Sequence, residues 1–295
     1  MKLEMENLTK RFQDVTAVDG ISCTLTTGVY GLLGVNGAGK TTLMRMLCTL
    51  LRPTEGSITW EGKDIFRMDG EYRRILGYLP QDFGYYPDFT VRDYLMYIAS
   101  IKGIRPAAAK KRVELLLKQV GLTKAENKKM KKLSGGMKRR AGIAQAMLND
   151  PEILILDEPT AGLDPNERIR FRNLISELAQ KRLVLLSTHI VSDIEYIANE
   201  IFLMKDGRIC VSGTTEELAE SMPERVWSVS VSREEVSSYT RVYKVSNIKT
   251  TQGCVKLRIL SQDKPSADAV LESTTLEDVF LHYFGERAGE EDDLL

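Results

Sequence analysis

The segment GVNGAGKT at residues 34–41 constrains the fold of this 295-residue chain more than any other feature. It has the form GxxxxGK[ST], and it lies between the apolar run 29–33 and a helical pattern that starts at Lys40. Glycines let several backbone N–H groups converge on a polyphosphate, and the positive end of the following helix favours the same negative charge. The segment therefore predicts a strand–loop–helix unit that binds phosphate.

Single residues of this loop have predicted roles. Lys40 is expected to reach the β- and γ-phosphates, and the Thr41 hydroxyl is a predicted ligand of Mg²⁺. The predicted phosphate-binding residues are Asn36, Gly37, Ala38, Gly39, Lys40, Thr41 and Thr42. A chance glycine-rich turn is the alternative interpretation, but the strand before the loop and the helix after it favour the phosphate site.

A second motif places two carboxylates after the apolar run 153–156. Ligands of parallel sheets gather at the carboxyl ends of the strands, where Asp157 is expected to hold Mg²⁺ through water. Glu158 is predicted to act as the general base that polarises the attacking water. An apolar run that ends in Asp-Glu is weak evidence alone, but it gains weight from the phosphate loop. Together the two motifs leave P-loop kinases, GTPases and other ATPases open.

The wider pattern predicts an α/β fold. The continuous apolar runs 153–156 and 183–186 indicate parallel strands that are buried on both faces. Helical spacing of apolar residues appears between about 92 and 121, and a helix is predicted from Lys40 to about Leu51. The first residues alternate charged and apolar side chains, which predicts an edge strand. Strands that alternate with helices imply a mostly parallel sheet.

The segment LSGGMKRR at 133–140 resembles the signature sequence of the ATP-binding subunits of ABC transporters. Other motifs of that family occur in the same order along about residues 1–215. Gln81 in GYLPQ matches the glutamine loop, and Asp164 in AGLD matches the D-loop. His189 matches the switch histidine. Phe12, 28 residues before Lys40, stands where an aromatic residue stacks on adenine.

This resemblance implies a P-loop NTPase core with a parallel sheet and an inserted helical subdomain at about 88–150. It implies that Ser134, Gly135 and Gly136 reach across a dimer to the γ-phosphate bound by the other protomer, with Asp164 also at the nucleotide. By resemblance Gln81 senses Mg²⁺ and the attacking water, and contacts the membrane subunit. His189 would hydrogen-bond the γ-phosphate.

Each of these roles has a simpler alternative. Ser134 can be an ordinary helix N-cap and Gln81 an ordinary surface amide. His189 and Phe12 can be core residues. The ordered set of motifs favours the family roles: Glu158, His189, Gln81 and Lys40 in catalysis, and Thr41, Gln81 and Asp157 around the metal.

After Gly213 the pattern changes. Residues 227–232 and 255–259 alternate with period two, and apolar residues at 276, 279, 280, 283 and 284 form one helix face. Thr274 with Glu277 is the predicted cap of that helix. We therefore predict an ATPase domain at 1–214 and a small accessory α+β domain at 215–295 with an acidic tail. This extension resembles those of drug, bacitracin and lantibiotic exporters.

Charge is balanced over the chain, with 41 Lys and Arg against 41 Asp and Glu, but not locally. Residues 101–140 hold 14 Lys and Arg and two Glu, a net charge of +12, whereas 277–295 carries −6. The basic segment is either a solvated face or a surface that attracts anionic lipid headgroups. Zero net charge argues against nucleic acid as a partner, and no apolar run approaches the roughly 18 residues of a membrane span.

The expected function is that of an ATP-hydrolysing subunit of an ABC-type export complex with ATP and Mg²⁺ as cofactors. A second copy or a homologue completes the dimer, and a separate permease subunit spans the membrane. The expected location is cytoplasmic, at the inner face of the cell membrane through the permease. The alternative is a soluble ABC ATPase that acts on a non-transport macromolecular partner such as a ribosome or DNA. A P-loop kinase is a further alternative, but it has no need of the serine-glycine signature.

Overall fold

The computed structural model describes residues 1–251 and 253–285. The chain divides into two compact units, Met1–Cys210 and a second that begins at Val211. The domain boundary predicted from the sequence, between residues 214 and 215, lies four residues after the division between these two units. It remains a prediction. In the described part of the chain, no helix combines the length and the apolar character that crossing a membrane requires.

A six-stranded sheet forms the centre of the first unit, with the order β10-β9-β3-β8-β7-β6. Its strands are β3 (Gly28–Leu33), β6 (Leu76–Leu79), β7 (Ile153–Leu156), β8 (Leu183–Thr188), β9 (Glu200–Lys205) and β10 (Arg208–Gly213). β3 pairs in parallel with β8 and β9, and β7 pairs in parallel with β6 and β8. Every residue of β7 and β8 is buried. The predicted α/β fold with a parallel sheet is confirmed.

A second, antiparallel sheet of the first unit has the order β2-β1-β4-β5. Its strands are β1 (Leu3–Phe12), β2 (Val15–Leu25), β4 (Glu55–Trp60) and β5 (Lys63–Asp64). The prediction that the N-terminal strand lies at an edge is wrong, because β1 pairs with both β2 and β4. The alternation in β1 reflects one exposed face of a strand that has neighbours on both sides.

The phosphate-loop helix α1 (Lys40–Leu47) is shorter than predicted. It ends four residues before Leu51 because Thr49 takes a left-handed backbone conformation with φ of 57°. Helices commonly end at such a residue. Glycine usually fills that position, so a threonine there gave no stop signal in the sequence.

The remaining helices of the first unit surround the parallel sheet and build the region between β6 and β7. They are α2 (Ile65–Met68), α3 (Gly70–Ile75), α4 (Val91–Ile101), α5 (Pro106–Gln119), α6 (Gly135–Ala146) and α7 (Pro165–Ala179). Thr90 and Asp93 form a capping box at the start of α4, and Pro106 opens α5. The helical spacing predicted between about 92 and 121 therefore corresponds to two helices, α4 and α5.

The second unit contains an antiparallel sheet with the order β12-β13-β11-β14. Its elements are α8 (Thr215–Ser221), β11 (Arg225–Val231), α9 (Val236–Val242), β12 (Lys244–Thr251), β13 (Cys254–Ser261), β14 (Val270–Glu272) and α10 (Leu276–Phe284). The period-two patterns at 227–232 and 255–259 correspond to β11 and β13, which pair with each other. Their alternate residues form a small core with Trp227, Val229 and Leu257.

The predicted cap of α10 is wrong by one residue. Thr275 is the N-cap and forms a capping box with Asp278, in place of Thr274 with Glu277. Both pairs have the same spacing, but only Asp278 also receives hydrogen bonds from Arg258 on β13. This tertiary partner selects the register. The predicted acidic tail lies at residue 286 and beyond, which is outside the described residues.

Candidate functional site

The loop between β3 and α1 carries glycines where its backbone lies close to other chain segments. Gly39 is the N-cap of α1 with φ of 101°, and a Cβ there would come 2.1 Å from the carbonyl oxygen of Ala17. At Gly34 a Cβ would come 2.3 Å from the carbonyl oxygen of Met204. Glycine at these two positions therefore lets the loop pack against β2 and β9 and lead into the helix.

An open pocket of about 400 Å³ lies over this loop. It is lined by Ala17, Asn36, Gly37, Ala38, Gly39, Lys40, Thr41, Thr42, Gln81, Glu158 and His189. The fold thus brings together residues from distant parts of the sequence. All seven predicted phosphate-loop residues line the pocket, together with Glu158, Gln81 and His189. Asp157 is buried beside the pocket, where it accepts a hydrogen bond from Thr41, and is not part of the lining.

Lys40 is buried inside this loop, with 6% of its side chain exposed. Its Nζ donates hydrogen bonds to the carbonyl oxygens of Gly34 at 2.6 Å and Val35 at 3.0 Å, and lies 3.6 Å from Oε1 of Glu158. Burial lowers the pKa of Lys40 below its usual value, and the nearby carboxylates of Glu158 and Asp157 oppose this shift only in part.

Asp157 joins the start of α1 to the ends of two parallel strands. The Thr41 hydroxyl donates to its Oδ1 at 3.3 Å, and the Ser187 hydroxyl donates to the same atom at 2.7 Å. Ser187 also accepts a hydrogen bond from the backbone N–H of Glu158 at 2.9 Å. Sequence reasoning missed this role of Ser187, although its place two residues before His189 at the end of β8 was a usable signal.

Glu158 is held in an unusual backbone conformation at the floor of the pocket. Its φ is 46°, a left-handed value that costs a non-glycine residue about 1–2 kcal/mol. Nδ1 of His189 lies 2.9 Å from its Oε2, and because a carboxylate only accepts, Nδ1–H is the donor. Among the described residues, no group donates a hydrogen bond to the buried Oε1. Oε1 can therefore accept a hydrogen bond from a further donor.

The oxygen donors around Thr41 and Asp157 fit a Mg²⁺ ion. Hydroxyl and carboxylate oxygens are ligands that Mg²⁺ prefers, and Gln81 lines the same pocket with an amide. Across the residues that the structure describes, no group of three or more His, Cys, Asp or Glu side chains has the arrangement of a metal site. Mg²⁺ in phosphate-binding sites uses one or two carboxylates together with the phosphates of the substrate, so this donor set agrees with it.

Gln81 is exposed and lies just after β6, where its backbone carbonyl accepts a 2.6 Å hydrogen bond from Arg139 of α6. This contact connects the glutamine loop to the helix that starts at the signature segment. Sequence reasoning missed Arg139 as the partner. It also missed Ala17, which lines the pocket from β2, because an alanine carries no chemical signal of such a place.

The signature residues lie apart from this pocket. Ser134 is the N-cap of α6 and accepts from the backbone N–H of Met137 at 3.3 Å. Ser134 and Gly135 are exposed, whereas Gly136 is buried so close to Glu167 that a Cβ would come 2.5 Å from its Oε2. Over the described residues, these three positions are absent from the pocket lining.

Two further predicted residues also lie outside the lining, as far as the structure describes the chain. Asp164 is the N-cap of α7 and accepts from the backbone N–H of Glu167 at 2.9 Å. Phe12 ends β1 with 45% of the residue exposed, and the Lys10 ammonium lies 5.1 Å from the centroid of its ring. Its aromatic face is therefore at the surface, and its predicted contact with adenine remains a prediction.

The parallel sheet, the phosphate loop and the carboxylates at the strand ends define the class of P-loop nucleoside triphosphatases. Comparisons with known proteins give the family. Residues 18–161 match the family model described as ABC transporter. An uncharacterized ABC transporter ATP-binding protein of Bacillus subtilis, YxlF, is 37% identical over 78% of this chain and 76% of its own length.

Two other similarities extend this result. Nod factor export ATP-binding protein I of Burkholderia lata is 39% identical over 74% of this chain and 73% of its own length. The solved structure of cbiO1 from Clostridium perfringens, part of the ABC transporter complex cbiONQ, superposes with a TM-score of 0.67 at 29% identity. It covers 74% of this chain and 90% of cbiO1.

The chain belongs to the family of ABC transporter ATP-binding proteins, as its motifs predicted. Members of this family bind and hydrolyse ATP, and the chain is an ATPase of this type.

Proposed function

We propose that this chain is the ATP-binding and ATP-hydrolysing subunit that energises an export complex, by ATP-driven closure of a dimer and Mg²⁺-dependent hydrolysis. One observation carries the hydrolytic part of the proposal. The carboxylate of Glu158 is oriented by His189 through Oε2, while its Oε1 lies 3.6 Å from Nζ of Lys40 in the phosphate loop and accepts no hydrogen bond from the described residues. The export part rests on the similarity to Nod factor export ATP-binding protein I.

ATP binds with its phosphates over the loop 36–42, where backbone N–H groups and the start of α1 supply positive potential. Lys40 then exchanges the carbonyl oxygens of Gly34 and Val35 for phosphate oxygens. This exchange is favourable because phosphate offers the buried ammonium full negative charges in place of neutral carbonyls.

Glu158 is the general base of this proposal. Oε2 is occupied by the His189 N–H, so Oε1 is the atom that accepts the proton of the attacking water. His189 keeps the carboxylate in place and lines the same pocket, where we expect its Nε2 to hydrogen-bond the γ-phosphate.

Thr41, Asp157 and Gln81 are the residues that would hold Mg²⁺. When bound, the ion would neutralise charge that develops on the phosphate oxygens during transfer. Ser187 fixes the orientation of Asp157 for this purpose. A loss of turnover on removal of Mg²⁺, restored by its return, tests this assignment, and equal turnover in excess chelator would contradict it.

Ser134 and Gly135 are exposed at the start of α6, away from the pocket of their own chain. The Ser134 hydroxyl accepts a hydrogen bond as the N-cap but can still donate its own hydrogen. An exposed helix start of this kind suits the γ-phosphate bound by a second chain, so that two sites are completed when two chains close. Asp164 and Phe12 also lie at the surface of the first unit. In this proposal Asp164 belongs to the loop that faces the second chain, and the ring of Phe12 stacks on adenine. Closure transmits force to a separate permease, and hydrolysis reopens the dimer.

A membrane-spanning partner and a cytoplasmic position at the inner face of the membrane are part of the proposal. Affinity purification of the chain from detergent-solubilised membranes is expected to bring a membrane-spanning protein with it. In vesicles the complex is expected to show ATP turnover that rises with the exported compound. Isolation of the chain with ribosomes or DNA, without a membrane protein, would favour the non-transport alternative.

A further inference from the structure

Asp193 is a buried carboxylate that none of the predicted motifs includes. It ends a 3₁₀ turn, Val191–Asp193, four residues after His189, and only 2% of it is exposed. Its Oδ2 accepts hydrogen bonds from the hydroxyls of Thr160 and Thr188, the latter at 3.3 Å. Within the described residues, its buried Oδ1 has no hydrogen-bond partner. Burial of a carboxylate oxygen without a hydrogen-bond partner lowers the stability of the fold, which suggests that Asp193 is retained for a function.

The two threonines lie next to the catalytic pair: Thr160 is in the loop after β7, and Thr188 is the last residue of β8. Thr160 follows Glu158 by two residues, and Thr188 immediately precedes His189. Thr188 also accepts a 3.0 Å hydrogen bond from the backbone N–H of Ile190, which fixes the loop on the other side of His189. Asp193 therefore joins the loop after β7 to the loop after β8.

The turn that holds Asp193 is itself anchored to the fold. Ile194 is fully buried and packs so closely on β3 that a Cβ on Gly31 would come 2.8 Å from its Cδ1. Arg172 of α7 donates a 2.6 Å hydrogen bond to the carbonyl oxygen of Ser192. The carboxylate is thus held by both the parallel sheet and the helix that follows the loop of Thr160.

A second connection between the same loops runs through Ser187, which bonds Asp157 and the backbone of Glu158. The Ser187 connection reaches the loop after β7 at Asp157 and at the backbone of Glu158, whereas Asp193 reaches it at Thr160, on the other side of Glu158 in the sequence. Asp193 therefore supplies a second point of attachment for the loop that carries Glu158. Sub-ångström placement of a general base matters, because a displacement of about 1 Å can lower a rate about 100-fold.

We propose that Asp193 is a positioning residue for ATP hydrolysis, which sets Glu158 and His189 at their working separation by binding Thr160 and Thr188. The inference rests on the proposed function, because it assigns Asp193 to the pair that activates water. It requires that Asp193 affects the chemical step and leaves the phosphate loop, and hence nucleotide binding, unchanged.

Steady-state ATPase measurements on the full chain test this inference with two substitutions. Asp193→Ala removes both hydrogen bonds and is expected to lower kcat about 10- to 100-fold, with KM for ATP changed by less than about twofold. Asp193→Asn keeps one oxygen that accepts from both threonines and is expected to retain most of kcat. Asp278→Ala is the matched control, because it removes a buried carboxylate of the second unit.

A second pair of variants applies if Asp193→Ala does not fold. Thr160→Val removes the hydroxyl at nearly constant shape and is expected to lower kcat at unchanged KM, whereas Thr160→Ser retains the hydrogen bond and activity. Wild-type kcat in Asp193→Ala, or in Thr160→Val where the former does not fold, overturns the inference. A parallel loss of kcat and ATP affinity in Asp193→Ala and Asp193→Asn also overturns it.

Variants of Glu158 and His189 distinguish failure of the proposed function from failure of this inference. If Glu158→Gln and His189→Ala turn over ATP at the wild-type rate, then the pair is not catalytic and the proposed function fails first. If those two variants are inactive and the Asp193 and Thr160 variants are fully active, then only the inference about Asp193 fails.

Discussion

Nδ1 of His189 lies 2.9 Å from Oε2 of Glu158, although 31 residues separate them in the sequence. They meet because β7 and β8 are parallel neighbours, so the residues after both strands lie at the same edge of the sheet. The hydrogen bond leaves Oε1 of Glu158 as the acceptor that faces the phosphate loop. The proposed role of Glu158 as general base depends on this hydrogen bond.

Lys40→Ala is expected to weaken ATP binding by about 10- to 100-fold, because a hydrogen-bonded charge of this kind contributes about 1.5–3 kcal/mol. Titration of the protein with a fluorescent ATP analogue measures the effect. Lys63→Ala, at an exposed lysine of β5, is the control and should bind as the wild type does. Unchanged affinity in Lys40→Ala would refute the phosphate-loop assignment.

Gly37→Ala and Gly39→Ala are expected to differ in their cost to folding. Both glycines have positive φ, so alanine at either position costs about 1–2 kcal/mol in backbone strain. The two positions differ in the room that they leave for a side chain. A Cβ at Gly37 would meet no atom within 4 Å, whereas a Cβ at Gly39 would lie 2.1 Å from the backbone oxygen of Ala17. Urea denaturation should show a larger loss in the free energy of unfolding for Gly39→Ala, and equal losses would contradict this packing.

Asp278 is expected to make the second unit sensitive to acid. Burial raises the pKa of its carboxyl, but hydrogen bonds from Arg258 and Thr275 outweigh burial and hold the pKa below its usual 3.8. The folded state then binds fewer protons than the unfolded state. The stabilisation is present above the unfolded pKa and is lost as pH falls through the lower, folded pKa.

Asp278→Ala should therefore lower the free energy of unfolding by about 3 kcal/mol at pH 7, with a smaller difference from the wild type below pH 3.8. Urea titrations that follow Trp227 fluorescence in a Trp60→Phe background measure this difference. If the difference in the free energy of unfolding between variant and wild type stays constant as the pH falls below 3.8, then the charge of the Asp278 carboxylate does not cause the stabilisation.

Local patterns predicted the parts of the fold and site that short segments specify. The apolar runs of β7 and β8 and the glycine loop before α1 each carry their own signal, so strands, loop and pocket-lining residues followed from the sequence. Parallel pairing then explains why Glu158 and His189 come together.

The parts that the sequence did not predict depend on partners distant in the chain. β1 is an interior strand because β4 pairs with it some 50 residues later, and the cap of α10 is chosen by Arg258. Ser187 was marked only by its place before His189, and Asp193 gave no signal, because both act through hydrogen bonds to residues about 30 positions away in the sequence. Small polar residues of this kind are common after strands, and only the three-dimensional arrangement distinguishes them.

Glu158→Gln is the decisive test of Glu158 as the general base, because the amide keeps the shape of the side chain and removes the base. We expect this variant to bind ATP as the wild type does and to turn it over about 10²- to 10⁴-fold more slowly. With ATP and Mg²⁺, size-exclusion chromatography of the variant should show a stable dimer. Glu177→Gln, at an exposed position of α7, should behave as the wild type. A Glu158→Gln protein that stays monomeric and fully active would contradict the account.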